Sequence, residues 1–425
     1  MPRKSNTRVA QGTGTIRKKT VKYNGKSYSF WEGRITVGRD PGTGKQIQKS
    51  FSGKTQKECR EKMQAAAVQL NDNTYFEPAK MTLAQWLDIW TAEYLVDNKY
   101  MTIKNYKGQV ENHIKPALGA VKLHQLTPHA IQKFYNSQHK AGRIIPKRDE
   151  AGKIIMKAGK PVTETGPLAT ATIHNIHRIL NKALSVAVEI GYLRDNPAAR
   201  ATPPRLERRE IHPLNDEQVK QFLTATEEDK YHYLLKVILF TGMREGEATG
   251  LTWDCVDFKA GTIKVCKQLQ HRSKEAGGLT FAPLKNDKAR IIKPAPFVMA
   301  LLDSRKREQV QHRLQAGDAW NGWHTEEERK TALVFTNEIG DKIYGQTVYN
   351  HYKQVAAKIG APDTCVHDLR HTFAVLSLQN GDDPKTVQHN LGHATASFTL
   401  DVYGHVSERM KEDSAARMEA YIKAL

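Results

Sequence analysis

The chain has 425 residues, and 65 lysines and arginines against 45 aspartates and glutamates give it a formal net charge of +20. This length predicts two to four domains, and the charge predicts a polyanionic partner such as nucleic acid. We expect neither a signal peptide nor a membrane span, because no apolar run approaches roughly 18 residues. The four cysteines show no CxxC spacing, so we expect reduced thiols in a cytosolic protein.

The N-terminal 70 residues carry 16 lysines and arginines against four acidic residues. Three short strands are predicted around TGTIRKK, SYSFWEGRITVG and KQIQKSF, followed by a helix. Such a small sheet cannot bury both faces, so one face is expected to meet solvent or DNA. A solvated basic module with no specific site is the alternative. The candidate DNA-binding residues of this sheet are Lys18, Lys22, Lys26, Tyr28, Arg34 and Arg39.

Helical periodicity begins at Thr82, which with Gln85 predicts a capping box before the apolar positions Leu83, Trp86, Leu87 and Trp90. The pattern predicts an all-α segment with a charged β-hairpin insertion near 142–166. A segment rich in proline and arginine, residues 199–213, is predicted to be a linker that follows a phosphate backbone. Candidate phosphate contacts in these segments are Lys104, Lys107, Arg205 and Arg208.

The most informative pattern lies in the last third of the chain, where basic residues and a tyrosine follow in a fixed order. They are His367, Arg370 and His371 in HDLRHTF, His393 in LGH, and Tyr403 in LDVYGHV. The first three are spaced i, i+3 and i+4, so a helix presents them on one face. Arginine can hold a phosphate, histidine can move protons, and a phenol can attack phosphorus. With Arg244 in TGMREGE, this set predicts a site that breaks a phosphodiester without a metal.

Each residue also has a simpler interpretation. His367 and His371 could ligate zinc, although no glutamate directly follows the first histidine as it does in the H-E-x-x-H motif. Tyr403 taken alone is a packing residue, and Arg244 taken alone is a surface charge or an ion-pair partner. The order and spacing of the whole set favour the catalytic interpretation.

These motifs resemble those of the tyrosine recombinase family, the integrases of phages and conjugative transposons. The family pattern is an arginine in a TG-x-R-x-x-E turn, a lysine on a β-hairpin, H-x-x-R, L-G-H and a nucleophilic tyrosine. The residues that match it here are Arg244, Lys285, His367, Arg370, His393 and Tyr403. Lys285, in LKNDKARII, is predicted at the tip of a hairpin between strands near 262–268 and 290–293. Glu247 and His371 are expected to support the site without touching the substrate.

The resemblance implies a multidomain α+β fold with a small N-terminal three-stranded sheet plus helix, an all-α domain, and a mainly α catalytic domain with a small antiparallel sheet. The expected domains are an arm-type DNA-binding domain at 1–72 and a helical, SAM-like core-binding domain at 80–198. After the linker at 199–213, a catalytic domain with a C-terminal exchange helix is expected at 214–425.

The resemblance also implies the reaction, a site-specific recombination that uses no metal, ATP or other cofactor. Tyr403 would attack the phosphorus to give a 3′-phosphotyrosine, His367 would accept a proton, and Lys285 would protonate the departing 5′-oxygen. The expected partners are double-stranded DNA with core-type and arm-type sites, and a homotetramer on a Holliday junction formed through C-terminal helix exchange. An excisionase and a host DNA-bending protein are further partners that the family commonly uses, and the implied location is the bacterial cytosol, associated with the nucleoid.

Three other functions stay open on the sequence alone. A type IB topoisomerase uses similar residues to nick and reseal one duplex. A non-catalytic DNA-binding regulator would use the histidines and Tyr403 as structural residues. A zinc hydrolase would need a bound metal.

Overall fold

The computed structural model describes residues 15–23, 26–39, 45–71, 81–149, 152–206, 211–273, 277–284, 288–392, 415–416 and 418–423. For residues 22, 23, 26, 37–39, 47 and 68–71 only the backbone is described. The chain divides into two compact units, residues 1–207 and 208–425. No helix in the described ranges is long and apolar enough to cross a membrane.

The first unit begins with the predicted three-stranded sheet and helix. Strands β1 (Thr15–Tyr23), β2 (Lys26–Arg39) and β3 (Gln46–Gly53) are antiparallel in the order β1-β2-β3, and helix α1 spans Gln56–Asn71. The helix buries Cys59, Met63 and Ala66, which lie at i, i+4 and i+7 and pack against the sheet. Within the described residues, α1 covers one face of the sheet and leaves the other open.

Helices form most of the rest of the first unit. They are α2 (Leu83–Glu93), α3 (Tyr100–Gln109), α4 (Lys115–Leu118), α5 (Pro128–Ala141) and α6 (Thr170–Glu189), with a π-helical turn at Val110–Ile114. The predicted capping box is confirmed, since Gln85 N–H donates to Thr82 Oγ1 at 3.3 Å and Thr82 N–H donates to Gln85 Oε1 at 2.9 Å. The predicted apolar stripe of α2 is fully buried, and Trp86 Nε1 donates to the carbonyl oxygen of Ala183 in α6 at 3.0 Å.

The segment predicted to be a hairpin insertion lies between α5 and α6. Strand β4 (Arg143–Pro146) pairs with β7 (Thr163–Gly166), and β5 (Met156–Lys157) pairs with β6 (Lys160–Pro161), all antiparallel. Most of its side chains are exposed, because a two-stranded ribbon has no second layer to pack against.

The second unit is mainly helical with small antiparallel sheets, which confirms the expected fold class. Its helices are α7 (Asp216–Ala225), α8 (His232–Thr241), α9 (Glu245–Thr249), α10 (Pro296–Ala316), α11 (Glu326–Lys330), α12 (Gly345–Lys358), α13 (Val366–Gln379) and α14 (Pro384–Leu391). Its strands are β8 (Val256–Asp257), β9 (Thr262–Val265), β10 (Lys267–His271), β11 (Leu279–Pro283) and β12 (Arg290–Ile292). Residues 415–416 and 418–423 are helical.

Helix α8 is central to this unit. Five of the six residues from Leu234 to Leu239 are apolar and belong to a buried cluster that also contains residues of α10, α12 and α13. The sixth, Lys236, is also buried and pairs with Glu227. A helix that is buried on every side is stable only when other elements surround it. The end of α8, and the turn that follows, are therefore held firmly by packing.

The predicted hairpin around Lys285 is wrong in one respect. Strands β9 and β12 do pair, as expected, but a second hairpin of β10 and β11 lies between them in the chain. Gly277 and Gly278, with φ of 93° and 64°, allow the turn of that additional hairpin. The hairpin could not be predicted from the sequence because both strands have only five residues and KQLQH contains a single apolar residue, Leu269. Lys285 itself lies outside the described residues, in the connection between β11 and β12.

Candidate active site

Two left-handed glycines shape the backbone around the candidate site. Gly242 ends α8 with φ 65° and ψ 16°, and Gly392 ends α14 with φ 63° and ψ 44°. A Cβ at Gly242 would lie 2.4 Å from the ring of Phe373 and 2.7 Å from Leu391, so this position needs glycine for its space as well as for its conformation. The first of these turns places Arg244 at the start of α9.

Arg370 joins the two turns. It lies on α13, is 1% exposed, and donates from Nη1 to the carbonyl oxygen of Gly242 and from Nη2 to that of Leu391, both at 2.6 Å. These carbonyls belong to the last residues of α8 and α14, where helical acceptors lack partners within the helix. Arg370 therefore fixes the TG-x-R turn against the turn that leads into L-G-H.

Arg244 is held by Glu247, one turn along α9. The carboxylate accepts from the backbone N–H of Arg244 at 3.0 Å and from its Nη1 at 2.8 Å. Glu247 is 1% exposed, whereas the Arg244 side chain is 24% exposed. Burial acts to raise the pKa of Glu247, but hydrogen bonds and charge from Arg290 and Arg244 outweigh it, so the net pKa is lowered. The carboxylate therefore stays ionised and holds one side of the Arg244 guanidinium.

His367 and His371 lie together on α13, as the spacing predicted. Their rings are 4.8 Å apart between centroids and perpendicular. Desolvation by the surrounding protein lowers the pKa of His367 to about 4, and the charges of His371, Arg370 and Arg244 lower it further, although part of this residue is exposed to solvent. His367 is consequently neutral at physiological pH and can accept a proton. Arg370 lies one helical turn after His367 on α13, and its bond to the carbonyl oxygen of Gly242 holds it close to the turn that carries Arg244.

Three predicted residues, Lys285, His393 and Tyr403, lie outside the described residues. His393 directly follows Gly392 in the chain, and Lys285 directly follows Leu284, which is buried after the end of β11. Their roles stay predictions. Within the described ranges, no group of three or more histidine, cysteine, aspartate or glutamate residues could hold a metal ion, so His367 and His371 have no third ligand there.

Sequence reasoning missed Arg290 on β12. This side chain is 6% exposed and forms a two-pronged ion pair with Glu247, through Nη2 to Oε2 at 2.6 Å and Nη1 to Oε1 at 3.2 Å. Its Nε donates to the carbonyl oxygen of Asn390 at 2.8 Å. The signal available in the sequence was an arginine between apolar residues of a predicted strand, but only the fold brings it to Glu247.

The register of the N-terminal sheet decides which basic residues lie on its open face. Residues paired across antiparallel strands share a face, and neighbours along a strand alternate. Trp31 and Ile35 pack in the α1 core, and Lys18 pairs with Trp31, so Lys18 lies on the covered side although it is exposed. The expectation that Lys18 shares the open face is therefore wrong. Tyr28 and Arg34 do lie on that face and are exposed.

Two further cations on the open face were missed. Arg17 and Lys19 bind Glu32 at 2.8 Å and 2.9 Å, and Arg34 lies 3.5 Å from the same carboxylate. Lys19 and then Arg17 lower the pKa of Glu32 to about 2. The open face therefore presents three cations arranged around one carboxylate. The strand alternation could have identified Arg17 and Lys19 once the cross-strand register was known.

Of the other predicted DNA-contact residues, three have side chains that the structure describes, and all three are exposed. Lys104 and Lys107 are exposed on α3, and Arg205 is exposed in the segment that follows the first unit's helices. Arg208 lies outside the described residues, and only the backbone is described for Lys22, Lys26 and Arg39.

The tight packing around Gly242 predicts that a side chain at this position destabilises the fold. We expect Gly242→Ala to lower the free energy of unfolding by more than Gly261→Ala does. Both glycines have φ 65°, so both substitutions cost about 1–2 kcal/mol of left-handed strain, but no atom lies within 4 Å of a Cβ at Gly261. The clash with Phe373 and Leu391 adds about 1–3 kcal/mol of overpacking. Denaturant unfolding measures both variants, and equal losses would contradict the packing argument.

The lowered pKa of His367 predicts how the stability of the fold depends on pH. In the unfolded chain this residue binds a proton below its ordinary pKa of about 6.5, whereas in the folded chain it does so only near 4. The folded state therefore loses stability as the pH falls through this window. We expect His367→Gln to reduce the slope of unfolding free energy against pH between about 6.5 and 4. The exposed His324→Gln variant is the control, and a slope unchanged in His367→Gln would refute the prediction.

Comparison with known proteins agrees with this geometry. The Phage integrase family matches residues 213–410, and the phage integrase N-terminal SAM-like domain matches residues 82–138. A tyrosine recombinase XerC-like protein of Caldanaerobacter subterraneus is 26% identical over 92% of this chain and 95% of its own length. The ICEBs1 integrase of Bacillus subtilis is 21% identical over 91% of this chain and 95% of its own length.

Solved structures show the same fold. The Tn1549 transposon integrase, in complex with transposon right end DNA, aligns with a TM-score of 0.61 and 19% identity over 80% of this chain and 99% of that chain. A lambda integrase tetramer bound to a Holliday junction aligns with a TM-score of 0.51 and 19% identity over 89% of this chain and 94% of that chain. With two family matches that together span more than half of its residues, the chain belongs to the phage integrase family of tyrosine recombinases, enzymes that cleave and rejoin DNA through a tyrosine-linked intermediate.

Proposed function

We propose that this protein is the integrase of a mobile genetic element and that it recombines the ends of that element with target DNA. The observation that carries the proposal is the bond from Arg370, one helical turn after a neutral His367, to the carbonyl oxygen of Gly242, two residues before Arg244. A cationic pocket with a proton acceptor is what attack on a phosphodiester needs. The similarity to integrases of the ICEBs1 and Tn1549 elements supports the choice of substrate.

The proposed chemistry divides the work among six residues. Attack at phosphorus adds negative charge to the non-bridging oxygens, and guanidinium groups stay charged at any working pH. Arg244, Arg370 and His393 stabilise these oxygens, Tyr403 attacks, His367 takes up the phenolic proton, and Lys285 protonates the departing 5′-oxygen. The phenol has an unperturbed pKa of about 10, so a nearby base and positive charge both ease its ionisation.

The covalent intermediate explains why the reaction is proposed to need no ATP and no metal. The 3′-phosphotyrosine keeps the energy of the broken bond, and the 5′-hydroxyl of a second strand can resolve it. Exchange between two duplexes in this way gives integration in one direction and excision in the other.

The proposed assembly uses the whole chain. Residues 1–72 bind arm-type sites, residues 80–198 and 214–425 hold core-type DNA, and residues 199–213 follow the backbone between them. The exposed Tyr421 and Ile422, in the helical stretch 418–423, support docking of the C-terminal helix into a neighbouring subunit of a tetramer. An excisionase, a host DNA-bending protein and a site of action on DNA in the bacterial cytosol complete the proposal.

The decisive experiment is trapping of the covalent intermediate. We expect the wild-type protein to form a stable adduct with a nicked duplex that carries the DNA flanking its gene. The Tyr403→Phe variant should form no adduct, because it lacks the attacking oxygen, yet should bind the same duplex with unchanged affinity. Denaturing gel electrophoresis detects the adduct, and gel shift measures the binding.

The controls separate the alternative functions. A wild-type protein that binds the duplex without any adduct is a DNA-binding regulator, and the proposal fails. Adduct formation without strand exchange between two duplexes indicates a topoisomerase-like enzyme, and the proposed function again fails. Activity that disappears with a metal chelator would indicate a zinc hydrolase.

The open face of the N-terminal sheet gives a separate prediction. We expect Arg17→Ala and Lys19→Ala to weaken binding to arm-type DNA by about tenfold, and to lower the slope of log affinity against log salt by roughly one. The matched control is Lys18→Ala, which removes the same charge from the covered side of the sheet. An effect of Lys18→Ala as large as that of Lys19→Ala would argue against DNA binding on the open face.

A further inference from the structure

We propose that Arg290 is a positioning residue for DNA cleavage, which holds Arg244 and the turn before His393 in one arrangement. This inference rests on the proposed function and assigns a role to a residue outside the six proposed catalytic positions. The Arg290 guanidinium makes two contacts that support this role, and the strand that carries it makes a third.

The first contact sets the charge that Arg244 presents. Glu247 is buried between Arg244 and Arg290, and its two oxygens accept from both guanidinium groups. With Arg290 present, the cluster of two guanidinium groups and one carboxylate has a net positive charge. Without Arg290, Glu247 would neutralise Arg244 alone, and the field available to a phosphate would fall.

The second contact sets the position of the L-G-H segment. Arg290 Nε donates to the carbonyl oxygen of Asn390, and Arg370 donates to the next carbonyl, that of Leu391. Two arginines from different elements thus hold consecutive carbonyls at the end of α14. A Cβ at Gly392 would lie 3.0 Å from Arg290 Nη1, so the guanidinium also fills the space beside this glycine.

The third contact joins β12 to the same turn. Arg290 pairs with Val265 of β9 in the sheet, and the next residue, Ile291, accepts from His389 Nε2 of α14 at 3.2 Å. Lys285 precedes this strand by a short connection. One side chain thereby links the strand after the proposed general acid, the turn of Arg244 and the residue before His393.

The test compares single-turnover cleavage with binding. The probe is a nicked duplex carrying the site at which the wild-type protein forms its adduct. We expect Arg290→Met to reduce the cleavage rate at saturating protein by about 10- to 100-fold, because displaced catalytic groups lose rate in this range, while the dissociation constant changes less than about threefold. Arg290→Lys keeps the charge but not the fork or the Asn390 contact, so we expect partial rescue.

The matched control is Arg305, another buried arginine of the same unit. It is 4% exposed, pairs with Glu308, and donates to the backbone carbonyls of Val334 and Thr336. We expect Arg305→Met to lower the unfolding temperature without slowing cleavage by the folded protein. Should Arg290→Met fail to fold, Arg290→Lys decides, since a loss of several-fold is expected there.

Several outcomes would overturn the proposal. These are a wild-type cleavage rate in Arg290→Met or Arg290→Lys, a loss of rate in Arg305→Met equal to that in Arg290→Met, or a loss confined to DNA affinity. In each of them the wild-type adduct still forms, so the proposed function stands while this inference fails. Absence of the wild-type adduct would remove both.

Discussion

The candidate site depends on a constraint set by Arg370, whose guanidinium binds the last carbonyls of two helices that are far apart in sequence. Gly242 directly follows the last residue of α8, and Leu391 is the last residue of α14, so neither carbonyl has a partner further along its own helix. Because the planar guanidinium donates in fixed directions, the two turns cannot shift independently. The same residue is proposed to bind phosphate, so the scaffold and the chemistry share one side chain.

The protonation of the groups near Arg370 depends on how far each is desolvated and on which charges surround it. Glu247 is the buried carboxylate between Arg244 and Arg290, and its pKa is lowered despite the burial that acts against ionisation. His367 is kept neutral by desolvation and by the positive charges of Arg370 and Arg244. One environment therefore keeps a carboxylate charged and an imidazole uncharged, which suits a site that must attract an anion and accept a proton.

The N-terminal sheet uses a related arrangement on an open surface. Glu32 organises Arg17, Lys19 and Arg34, so the cations point in defined directions instead of moving as separate solvated groups. Exposed ion pairs of this kind add little stability. Their value lies in presenting an ordered pattern of charge from a module too small to have a large core.

The sequence alone determined those elements that depend on residues close together in the chain. The capping box at Thr82, the apolar stripe of α2 and the i, i+3, i+4 spacing of His367, Arg370 and His371 each depend on residues within two helical turns. The order of the motifs along the chain is itself sufficient to indicate the family. Tertiary structure decided what depends on pairing across the chain. The β10–β11 hairpin, the face on which Lys18 lies and the contact of Arg290 with Glu247 each join residues brought together by strand register or packing. No local pattern encodes these partners, because a strand's neighbours and a buried charge's counterion are chosen only when the whole unit folds.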